Sequence, residues 1–93
     1  MMALVLSFAT TTFAVEIDGI SYSLIGRRLT AIVQKIGDGR KGGYKGNIVI
    51  PEQVTYNGNV YTVREVAPNA FWACDSLISV SLPESVEKIH EFA

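Results

Sequence analysis

Cys74 is the only cysteine in this 93-residue chain and His90 the only histidine. One of each rules out an intrachain disulfide, a cysteine metal cluster and a multi-histidine metal site. A cysteine nucleophile needs an activating base within reach. The chain spacing puts Cys74 and His90 on different turns, so they are not expected to form a dyad. Ser79, Ser81 and Ser85 have no base partner either, and no carboxylate pair marks an active site. The sequence therefore predicts no catalytic residue, no metal ligand set and no cofactor, and reads as a non-enzyme.

The next candidate is "GDGRKGGYKG", residues 37–46, with glycine at 37, 39, 42, 43 and 46. Such a loop could cradle a phosphate through backbone N–H groups. It lacks the G-x-x-x-x-G-K-[ST] spacing of a nucleotide loop, and no helix signal follows it. Calcium needs several oxygen ligands, and Asp38 is the only carboxylate here. The loop is read as a solvated connection between strands.

Charge is more informative than the loop. The whole chain carries a net charge of -1. Between residues 27 and 45, however, Arg27, Arg28, Lys35, Arg40, Lys41 and Lys45 face only Asp38. From residue 46 onward, Arg64 and Lys88 face six carboxylates. Arg27, Arg28, Arg40, Lys41 and Lys45 are thus candidate contacts for an anionic partner such as a sulfated glycan. The competing reading is a polar cover over a small sheet. No basic helix or aromatic platform points to nucleic acid.

Positioning such residues falls to short extended segments. "MMALVLSFATTTFA", residues 1–14, has the apolar run and small-residue end of a signal peptide, with cleavage before Val15. It lacks a basic start, and a buried N-terminal strand is the alternative. The run is too short to span a bilayer. Asp18-Gly19 and Asn57-Gly58 sit between apolar runs and predict two hairpins with type I′ turns. Tyr56 and Tyr61 flank the second turn as candidate cross-strand neighbours. Residues 29–36 read as a strand with Ala31 and Val33 on one face. Pro51 ends or edges the strand of residues 47–54.

The chain also resembles itself. "VREVAPNA" returns 23 positions later as "VEKIHEFA", and "IVIPEQV" returns 32 positions later as "VSLPESV". A period in the twenties is that of a solenoid. Each coil would lay a strand beside that of the coil before, since one coil cannot enclose a core. Ile78, Val80 and Leu82 are predicted to face inward, with Ser79 and Ser81 outward. Pro83 would turn the chain, and Val86 and Ile89 would return to the interior. Phe71, Cys74 and Leu77 would fill the other corner through a short helical turn near 68–74, opened by Pro68. Trp72, between two interior positions, either faces outward as a contact residue or packs over a neighbouring coil.

The stretch "NAFWACDSLISVSLPESVEKIHEFA" resembles the BspA-like leucine-rich repeat of bacterial surface proteins. Ala70, Phe71, Cys74, Leu77, Val80, Leu82, Pro83, Ser85, Val86, Ile89 and Ala93 occupy its repeat positions. The repeat's glycine after isoleucine is replaced by Ala67 and His90. The resemblance implies a mainly β fold, with an antiparallel hairpin cap over residues 15–62. The first part of a right-handed leucine-rich-repeat solenoid would follow over residues 63–93. It also implies secretion or surface display, and binding of an extracellular protein or glycan rather than catalysis. Ala93 falls in mid-motif, so the chain is expected to be the front of a longer repeat protein. A last coil left open would expose an edge prone to self-association.

Overall fold

The computed structural model describes residues 12–36, 43–72 and 74–91. These form the strands β1 (Thr12–Ile17), β2 (Ile20–Ile25), β3 (Thr30–Gln34), β4 (Gly46–Val49), β5 (Gln53–Tyr56), β6 (Asn59–Val66), β7 (Leu77–Ser81) and β8 (Lys88–Ile89). No helix occurs among the described residues. The fold is mainly β, as expected.

Both predicted hairpins form. Asp18 and Gly19 have φ of 51° and 83°, and Asn57 and Gly58 of 50° and 82°. Positive φ at both central residues is what a type I′ turn requires, and its twist matches that of the strands it joins. The turns connect β1 to β2 and β5 to β6. Tyr61 lies opposite Val54 and Tyr56 opposite Asn59, so the two tyrosines are diagonal neighbours on one face. In β2 and β3 alternate residues are buried: Ile20, Tyr22 and Leu24, then Ala31 and Val33.

The larger sheet runs β1-β2-β3-β6-β5, with β8 also on β6, and β4 and β7 form a second sheet. Three pairings across the two sheets are parallel, and they carry the repeat. Ile48 pairs with Val80 and Val49 with Ser81, the offset of 32. Val66 pairs with Ile89, the offset of 23. Ala31 also pairs with Val63, so β3 already stands one coil behind β6. Strand β3 is thus shared between the antiparallel hairpin array and the parallel stack. Strand β6 runs through position 62–63, where the sequence places the edge of the cap.

Two parallel ladders contain a bulge. Ala31 pairs with Val63 but Ile32 with Glu65, which leaves Arg64 as the extra residue. Gly46 pairs with Leu77 but Asn47 with Ser79, which leaves Ile78 extra. An extra residue lets side chains three apart face the same way. Val63 and Val66 are therefore both fully buried. The β4–β7 bulge corrects the expectation for Ile78, which points outward and is 76% exposed. Leu82 and Ile89 are also exposed rather than interior. The predicted helical turn near 68–74 is instead a run of separate turns. N–H groups of Ala70, Trp72 and Cys74 donate to the carbonyls of Ala67, Asn69 and Phe71. Asn69, at φ 64°, interrupts any right-handed helix there.

Tyr44 ties the two sheets together. Its hydroxyl accepts the Ser21 N–H at 3.1 Å and donates to the Gln34 carbonyl at 2.6 Å. Its ring lies 5.2 Å from that of Phe71. Burial raises the Tyr44 pKa, against a lowering by the Ser21 hydrogen bond. Burial, then the nearby Tyr44 and Asp18, push Tyr22 up to about 12. In the unfolded chain Tyr22 would lose its proton near 10. The stabilisation is thus complete below pH 10 and is lost as pH rises towards 12. Urea midpoints should fall over that window and fall less steeply in Tyr22→Phe; equal slopes would refute the assignment.

Repeat position and burial can be separated. Val66 and Ile89 are partners in one ladder, but Val66 is 0% exposed and Ile89 60%. Val66→Ala should cost about 2 kcal/mol, from lost apolar transfer and the cavity left behind. Ile89→Ala should stay within about 0.5 kcal/mol. Urea denaturation of both variants checks the contrast.

Candidate functional site

The basic residues do not form one patch in the described structure. Arg27 and Arg28 are exposed in the turn at 26–29, just before β3. Lys35 is exposed just after β3. The bond from Tyr44 to Gln34 places Lys45 at that second end as well. Five residues of strand, roughly 16 Å, separate the two groups. Arg40 and Lys41 lie outside the described residues. Trp72 is 61% exposed on the turns that follow β6.

The chemistry-bearing pair is also apart in its partners. Cys74 is a free, half-buried thiol packed against the core. The His90 Nε2 is 3.0 Å from the Glu65 Oε1, across the β6–β8 ladder. Arg64 and Glu87 make an exposed pair of 3.3 Å on the same ladder. A pair of this kind contributes little to stability. No group of three or more metal-ligating side chains occurs among the described residues.

A cleft forms where Arg27 lies. Strands β3 and β6 are parallel, with Thr30 opposite Thr62, so the turns that precede them sit side by side. The Thr62 N–H donates to the Leu29 carbonyl at 2.9 Å and closes this corner. The sheet then curls. Strands β1 and β5 occupy its opposite ends, and flat strands at about 4.8 Å spacing would leave them far apart. Their rings nevertheless meet: Phe13 of β1 and Tyr56 of β5 are 5.6 Å apart, tilted by 47°.

At the mouth of the curl is a cleft of about 410 Å³. Phe13, Tyr56, Tyr61 and Leu29 give it an aromatic and apolar wall, with Arg27, Asn57 and Asn59 as polar groups. Arg27 is the one charged residue among this lining. In the sequence, charge singles out Arg27 and the Asn57-Gly58 turn singles out the two tyrosines. Their convergence depends on the long-range β3–β6 pairing, which neither signal contains.

Leu29 is held in an uncommon state at this cleft. Its φ is 55°, in the left-handed region, and its side chain is 44% exposed. Its N–H donates to the Ile25 carbonyl at 2.9 Å. With its carbonyl taken by Thr62, both backbone groups are fixed and the conformation is imposed.

No family model matches the chain, and no curated protein matches it. A solved leucine rich cell surface protein from Faecalibacterium prausnitzii A2-165 is similar in fold, with a TM-score of 0.53 and 23% sequence identity. The likeness covers 87% of this chain and 27% of that one, so the chain spans about a quarter of that protein's length. The shared architecture is leucine-rich-repeat-like.

A left-handed conformation costs an ordinary side chain about 1–2 kcal/mol, and less for asparagine, whose short polar group bonds locally. Leu29→Asn should therefore raise stability by roughly 1 kcal/mol, read as a higher Tm. A lower Tm would mean that the leucine side chain contributes more than the strain takes away.

Proposed function

We propose that this chain is a module of a secreted or cell-surface repeat protein of the BspA-like leucine-rich type, and that it binds an extracellular protein or glycan. One observation carries the reading. The parallel ladders join residues at the sequence-repeat offsets of 32 and 23, in a fold similar to that of a leucine rich cell surface protein. Stacked coils of this kind present extended surfaces suited to binding.

Export would be directed by residues 1–14. Thr12, Phe13 and Ala14 stand in β1 opposite Ile25, Leu24 and Ser23. Cleavage before Val15 would keep the remaining pairs of Val15, Glu16 and Ile17 and the Asp18-Gly19 turn. No helix among the described residues is long and apolar enough to cross a membrane.

Expression in a secreting bacterial host, followed by N-terminal sequencing, tests the proposal. The expected product lies outside the cytoplasm and begins at Val15, and Ala14→Tyr should block processing. Retention in the cytoplasm with residues 1–14 attached would overturn export and, with it, the surface role.

A further inference from the structure

We infer that the cleft beside Arg27 binds an acidic pyranose unit of a glycan, with the sugar ring on Tyr56 and its carboxylate on the guanidinium. This deepens the surface-module reading and rests on it for access to such a ligand.

Three features of the cleft converge on this chemistry. Its volume of about 410 Å³ falls within the roughly 300–1,000 Å³ of small-molecule sites, where an apolar wall meets a few placed polar groups. Tyr56 is half-buried and keeps part of its ring accessible, and its diagonal neighbour Tyr61 is buried in the cleft lining beside it. An aromatic face carries negative charge density, which suits the C–H face of a pyranose. Asn57 and Asn59 flank the turn glycine, and each amide both donates and accepts, as sugar hydroxyls require. Asn57 is fixed at φ 50° by the turn, which reduces the ordering cost of binding.

The charge selects the acid. Arg27 offers a planar fork that matches a carboxylate with two parallel hydrogen bonds. A second cavity of about 460 Å³ at the other end of the curl makes the contrast. There the charged lining residue is Asp18, and the ring of Tyr22 is 1% exposed. That cavity would repel a carboxylate and has no open aromatic face. The cleft beside Arg27 also survives leader cleavage in its main parts. Only Phe13 precedes Val15, and its loss would uncover more of the Tyr56 ring.

The test is a titration of the full chain, followed by amide NMR shifts. The probes are a glucuronate-containing tetrasaccharide, its carboxyl-reduced counterpart and a glutamate-rich peptide. The acidic sugar should shift Asn57, Asn59 and Tyr56. Carboxyl reduction and Arg27→Gln should each weaken binding about tenfold, as expected for a lost bidentate pair. Lys35→Gln removes the same charge at the far end and should change affinity by no more than roughly twofold. Tyr56→Leu, which keeps bulk without the ring, should abolish the shifts. If it fails to fold, the Arg27 and Lys35 variants still decide. Absent shifts, equal losses in Arg27→Gln and Lys35→Gln, or equal binding of the peptide would overturn the site. Export can succeed while this titration fails, and the titration can succeed without export, so the two failures are distinguishable.

Discussion

Strand β6 has two backbone edges to satisfy, and on one of them its partner changes midway. Along one edge β3 pairs with residues 62–66. Along the other, β5 holds residues 59–62 in the hairpin, and β8 pairs with Glu65 and Val66. The changeover leaves no gap. The Val63 N–H donates to the Glu52 carbonyl, and the Arg64 carbonyl accepts the Glu87 N–H. Unpaired backbone groups at a buried position cost as much as a lost hydrogen bond. This handover lets an antiparallel hairpin array continue as a parallel stack.

The repeat was legible in the sequence because parallel pairing preserves an offset. The 23-residue echo of Val66 in Ile89 and the 32-residue echo of Ile48 in Val80 are the registers of two ladders. The two Asx-Gly turns were legible for a local reason, since positive φ at consecutive residues selects those types. Strict alternation places Ile78 in the interior, whereas the β4–β7 bulge turns it outward. A bulge shifts the pleat by one residue, so Leu77 and Val80, three apart, both pack on the core while Ile78 faces outward. The same spacing recurs at Val63 and Val66. It is the sequence mark of a bulged coil, and it resembles a broken helix stripe when read in one dimension.

Burial was less legible than register. Ile50 is 2% exposed and Leu82, its counterpart 32 positions on, is 36% exposed. Val66 and Ile89 differ in the same sense. A repeat motif specifies where a side chain points within its coil. Whether that side chain loses its water depends on what stacks against the coil, a property of the neighbours and not of the motif.

The cleft shows the same division between local and long-range information. Arg27 stood out as one of six cations along a short run, but the run folds so that Lys35 and Lys45 lie at the end of β3 remote from it. Like charges that are adjacent in sequence but about 16 Å apart and exposed to salt act almost independently. A cation gains specificity only where the fold places it beside groups that read the rest of a ligand. For Arg27 those groups come from β1, β5 and β6, gathered by the curl that brings Phe13 onto Tyr56. The constraint that completes β6 thus also places Arg27 beside an aromatic wall, remote from the exposed Lys35 at the other end of β3.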